Sequence, residues 1–169
     1  MKAMLLKTGL FYPTEDLFAK SYVMKEIATT GLSAQDHIHL LAKLRTRLLI
    51  PSNILALGDE TACLEHIKYI FHNYSREKHR LNERIISNKD KQNYDGIGIL
   101  LSEGVFDCLN ESKPVMENLG TITYLTLMCD IRDSFLNKSL KPSVRLYRMW
   151  KVVFFYVFDV YGSKIMVEQ

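Results

Sequence analysis

The chain lacks any stretch apolar and long enough to cross a bilayer. Its most apolar run, Val152–Phe158, lasts seven residues and stops at Asp159, against about 20 for a membrane span. An export signal is missing as well: Ala3–Leu6 is a four-residue run held between Lys2 and Lys7, short of the roughly 7–15 apolar residues such a signal needs. Cysteine is scarce, and Cys63, Cys108 and Cys129 are odd in number and scattered, which argues against a disulfide framework and predicts a reducing, intracellular, cytoplasmic setting. Nor does charge of one sign dominate. The 22 Lys and Arg exceed the 19 Asp and Glu by only +3, too little to demand a polyanionic partner. With 8 Gly and 4 Pro, the chain holds no low-complexity tract and no internal repeat.

What is present is an ordinary globular balance, 47% hydrophobic and 24% charged over 169 residues, which predicts one domain spanning 1–169 with a sizeable core. The few glycines and prolines punctuate helical periodicity. A first helix is predicted after Pro13, carrying Leu17, Phe18, Tyr22, Val23 and Ile27, with Gly31 ending it. Ser33 opens a second, with the stripe Ile38, Leu41, Leu44 and Leu48, and Pro51 stops it. From Ile54 to Ile85 apolar residues keep helical spacing, broken near Gly58 or Asn73. A polar surface loop follows near 87–93, then an apolar segment, Ile97–Leu109, predicted as a buried central helix. Pro114 suits a short helix, a longer one follows Gly120, and Pro142 opens the last, closed by Gly162.

The fold class expected is therefore all-α: a compact bundle of about seven helices around a central apolar one. Residues 121–128 and 152–160 also have strand propensity, so the alternative is an α+β fold with a small strand pair there. Helix is preferred because the three-and-four spacing of Leu146, Trp150, Val153, Phe154, Val157 and Tyr161 outlasts a typical strand.

Chemistry-bearing patterns are sparse. Gly96-Ile97-Gly98 lacks the third glycine and the Lys-Ser or Lys-Thr pair of a phosphate loop. Cys63, His66, His72 and His79 are the best metal candidates, but the spacing from His66 to His72 turns them around a helix. Glu103 with Asp107, and Asp130 with Asp133, read as solvated faces rather than acid–base pairs. No nucleophile turn or Glu-x-x-His pair occurs. The expectation is a non-catalytic protein without cofactor or metal.

The stretch Asn93-Tyr94-Asp95-Gly96-Ile97-Gly98-Ile99-Leu100-Leu101-Ser102-Glu103-Gly104 resembles the first homology motif of the Bcl-2 apoptosis regulators, in which Asn-Trp-Gly-Arg opens the central helix and a glycine follows two turns later. Upstream, Ile54-Leu55-Ala56-Leu57-Gly58-Asp59-Glu60 resembles the family's death motif, an aliphatic residue, three others, then Gly-Asp. Here Tyr94 replaces the tryptophan and Gly96 stands where the family has the arginine that pairs with an aspartate of the bound helix. What the resemblance implies is a bundle with a hydrophobic groove that sequesters the amphipathic helix of a pro-apoptotic protein and so inhibits apoptosis. Asn93, Gly96, Gly98 and Ile99 would line that groove, Tyr94 would pack beneath it, and the site of action would be the cytoplasm or the periphery of mitochondria. A divergent, virus-borne member would look like this.

Two other readings stay open. The fold could serve a regulator of innate immune signalling acting through another face. Alternatively, Arg76, Arg80 and Arg84, four residues apart along one helix, and the row Lys138, Lys141, Arg145, Arg148 and Lys151 could bind RNA or DNA, with Tyr147 and Trp150 on the core face. A homodimer is compatible with each.

Overall fold

The computed structural model describes residues 36–87, 89–91, 93–113 and 117–158, and of 155–158 the backbone alone. All of these but Asp36 belong to a compact unit that begins at His37. The expected helix after Pro13, the start at Ser33, the short helix at Pro114 and the stop at Gly162 lie outside the described residues.

The described part is mostly helical. Helix α1 (His37–Leu48) is followed by strands β1 (Ile54–Leu57) and β2 (Glu60–Cys63), then α2 (Leu64–Asn73), α3 (Arg76–His79), α4 (Glu83–Ile86), α5 (Tyr94–Leu100), α6 (Glu103–Ser112), α7 (Leu119–Leu136) and α8 (Pro142–Phe158). Residues 121–128 and 152–158 are helical, so the strand pair considered for them does not form. The sheet lies elsewhere, in a segment read from sequence as helical. β1 and β2 pair antiparallel with Leu57 opposite Glu60, joined by Gly58-Asp59. Gly58 has φ +62, the left-handed value that the first central position of a type II′ hairpin turn demands. Four-residue strands are too short for their alternation to outweigh a helix-compatible spacing in the sequence.

The central element also differs from expectation. Ile97–Leu109 is not one helix, because Leu101 leaves α5 and Ser102 takes extended geometry to start α6. The break lets Ile97, Leu100, Leu101, Val105, Cys108 and Leu109 all reach the core. The buried central helix is α7, which packs against α1, α6, α8 and both strands. It buries Tyr124, Leu125, Leu127, Met128 and Ile131, and the Tyr124 hydroxyl donates to Leu44 O at 3.0 Å.

Two glycines permit the closest approaches. A Cβ on Gly120 would stand 2.4–2.7 Å from the Thr61 backbone, where β2 crosses the start of α7. One on Gly104 would stand 1.9 Å from Lys78 O, where α6 meets α3.

The loop after α4 is tied down from inside. Arg45, fully buried on α1, donates to the carbonyls of Ile85, Ser87 and Asp90. Burial pulls its guanidinium below its ordinary pKa, with the Asp90 charge opposing.

Candidate functional site

Asn93 caps α5, its Oδ1 accepting from Gly96 N–H at 2.8 Å and satisfying one of the orphan donors of the first turn. Gly96 is buried beneath that cap, and a Cβ there would meet the Asn93 carboxamide at 2.9 Å. Gly98 is exposed, with nothing within 4 Å of the place a Cβ would take. Ile99 is half-buried against the core. Tyr94, expected beneath a groove, is instead exposed, one helical turn before Gly98 on the same side. Of the expected site residues, Asn93 and Gly96 form a helix start, whereas Gly98 and Ile99 present an open patch beside Tyr94. The stretch resembling the death motif forms the β-hairpin, not a helix, so its apolar residues alternate across a strand.

Of the metal candidates, His66 and His79 are held by hydrogen bonds inside the fold, whereas His72 is exposed. The Cys63 N–H donates to Thr121 Oγ1, leaving that hydroxyl to meet His66 Nδ1 at 2.7 Å. Burial lowers the His66 pKa, with Glu65 acting in the opposite sense. His79 accepts from Leu81 N–H at Nδ1, so its Nε2 carries the proton toward Tyr74 O. Burial pushes the Cys129 thiol up to about 11, with Arg132 opposing, so the thiolate a nucleophile needs is suppressed. Among the described residues no three His, Cys, Asp or Glu side chains converge as a metal ion would require.

Neither basic row forms the continuous face expected. Arg80 has φ 54 and ends α3, while Arg84 lies on α4 and pairs with Asp90 at 3.3 Å. In the second row, Arg148 pairs with Asp133 at 3.0 Å and lies 3.6 Å from Asp130, and Lys151 pairs with Asp130. Both therefore face α7. Arg145 donates to Asn137 O and Leu140 O, closing the turn after α7.

The consequence is that α8 sits the other way round from the sequence expectation. Leu146, Tyr147, Trp150 and Phe154 point outward, Trp150 and Phe154 stacking at 5.8 Å. Asp130 and Asp133, read as a solvated face, are the anchors that hold α8 in this orientation. Sequence did contain a signal: carboxylates at i and i+3 on one helix match cations at i and i+3 on the next.

No family model, no curated protein and no solved structure matches the chain. Among the described residues, no helix is long and apolar enough to cross a membrane.

Proposed function

We propose that this chain is a non-catalytic inhibitor of apoptosis of the Bcl-2 kind, which sequesters the amphipathic helix of a pro-apoptotic protein on the outer face of α5. The observation that carries the reading is the outer side of α5, where Tyr94 is exposed and Gly98, one turn further on, has open space above it, with Ile99 half-buried next to it. Apolar anchors of an incoming helix can pack on the ring and the aliphatic side chain, and the missing Cβ lets its backbone approach. The capped start of α5 at Asn93 supports the same reading, since this is where the family motif has its asparagine. The hairpin at Ile54–Cys63 gives no such support, so the proposal rests on the first motif alone.

Anisotropy titration of the full chain with fluorescent pro-apoptotic helix peptides, at low and high salt, is the test. Salt-insensitive binding should weaken at least tenfold in Gly98→Trp, a loss of about 1.4 kcal/mol. Failure of every peptide to bind would overturn the proposal.

One observation favours the second reading, a regulator of innate immune signalling. Gly96 is buried under the Asn93 cap with no room for a side chain, so the aspartate of a death-motif helix would find no arginine there. A partner without that aspartate, engaged through another face, fits this equally well.

A further inference from the structure

The outer edge of β1 is open. In a hairpin closed by a two-residue turn the flanking pair, here Leu57 and Glu60, exchange both backbone hydrogen bonds, and the exchange recurs at alternate pairs, next at Leu55 with Ala62. The N–H and C=O groups of Ile54 and Ala56 on β1, and of Thr61 and Cys63 on β2, therefore point away from the neighbouring strand. On β2 that edge is covered by the start of α7: the Cys63 N–H donates to Thr121 Oγ1, and the Thr61 backbone lies against Gly120. On β1 it is not covered. The sheet ends at this strand, and among the described residues no hydrogen bond reaches the outward groups of Ile54 and Ala56. Both residues are exposed, Ile54 at 72%. Exposed edges are usually guarded by lysine, proline or a bulge, and Ile54-Leu55-Ala56-Leu57 has none of these.

Unpaired edge groups prescribe their occupant, because another extended backbone offers donors and acceptors at matching intervals. We infer that this occupant is β1 of a second copy of the chain, the two hairpins joining into one antiparallel sheet across a two-fold axis. A single register pairs every outward group of both copies within the strands: Ile54 opposite Ala56 of the second copy, Ala56 opposite Ile54 of the second copy, and Leu55 opposite its own counterpart on the axis. Sliding the strands would set Ala56 against Ser52 or Ile54 against Gly58, both of which lie in turns. In the favoured register each large Ile54 side chain stands beside a small Ala56, and β1 brings no charge to the seam. The exposed Asp59 of each copy comes to the Pro51–Asn53 end of the other, where Asn53 Nδ2 holds the backbone of the exposed Arg47 at 3.1 Å. Acidic and basic ends thus meet. So short an edge gives a contact of the small, transient class, below about 1,200 Å², and the dimer forms as concentration rises. The edge belongs to the hairpin and not to α5, so this inference and the proposed function can fail independently.

Sedimentation velocity of the full chain over a rising concentration series should show a monomer–dimer equilibrium. Hydrogen exchange at the Ile54 and Ala56 amides should slow along the same series, while the Leu55 and Leu57 amides, already bonded to β2, stay constant. Ala56→Pro removes a donor from each copy at the seam and none from the β1–β2 ladder, because the lost N–H faces outward. It should raise the dimer Kd by about tenfold or more while its circular dichroism stays that of the parent. Ile54→Lys leaves the backbone as it is, replaces a side chain that faces solvent, and sets two like charges about 7–8 Å apart across the axis, so it should weaken the dimer to a similar degree. A chain that stays monomeric throughout the series would overturn the inference. So would protection of Ile54 and Ala56 that does not change with concentration, or undiminished dimerisation of Ile54→Lys, which would place the contact on another surface.

Discussion

Gly98 and Gly104 lie six residues apart in the same apolar stretch, yet alanine should act oppositely at the two. At Gly104 the new Cβ would sit 1.9 Å from Lys78 O, and restoring even a 3.0 Å separation requires α3 and α6 to part by 3.0 − 1.9 = 1.1 Å. The obstructing atom is backbone, and it cannot yield alone, because His79 and Leu81 just beyond it are buried almost completely. Overpacking of this kind costs about 1–3 kcal/mol or more, offset by up to about 1 kcal/mol of helix propensity. Gly104→Ala should therefore destabilise by about 2 kcal/mol, lowering the melting temperature by roughly 4–8 °C for a chain of this size. At Gly98 there is open space within α5, so only the propensity term remains, and Gly98→Ala should stabilise by about 0.5–1 kcal/mol. Urea unfolding of the two variants beside the parent, with unchanged m-values, measures both. A Gly104→Ala midpoint at or above the parent's, or a Gly98→Ala midpoint below it, would refute the packing assigned to these helices.

Two further outcomes are expected. Arg45→Met keeps the aliphatic stem but strips donors from the Ile85, Ser87 and Asp90 carbonyls. It should cost about 2–4 kcal/mol and raise hydrogen exchange in 85–90 ahead of the core, and equal protection there would contradict the anchoring role. For His66, burial holds the folded pKa below the ordinary 6.5, so between the two values the unfolded chain binds the proton and the folded chain does not. The His66 contribution is then fully present above about pH 6.5 and lost as pH falls toward the folded value. Unfolding midpoints measured from pH 8 to 5 should fall less steeply in His66→Gln, and parallel profiles would exclude this cause.

Much of the helical content was legible because the punctuation is explicit. Pro51 follows α1, Pro142 begins α8, and Asn93 caps α5, each for a local reason of backbone geometry or donor satisfaction. The helical choice at 152–158 followed from a periodicity, begun at Leu146, that is longer than a strand. The hairpin was not legible in the same way. Ile54–Leu57 and Glu60–Cys63 are four residues each, and the only direct sign was Gly58-Asp59, which reads equally as a helix stop. The division at Leu101–Ser102 was hidden by the unbroken apolar character from Ile97 to Leu101. Of the candidate site, a helix start at Asn93 was implied by the resemblance, whereas the exposure of Tyr94 and the space above Gly98 depend on what lies opposite α5.

The sequence by itself determined a mostly helical chain and a few of its boundaries, the stop at Pro51 and the starts near Gly120 and at Pro142, because prolines and periodicity act within a few residues. It also determined that α8 has two unlike faces. Which face turns inward was decided only by tertiary structure: Asp130 and Asp133 on α7 draw Arg148 and Lys151 toward them, and the aromatic stripe is carried outward. Periodicity measures the contrast between two sides of a helix and not the identity of its neighbour.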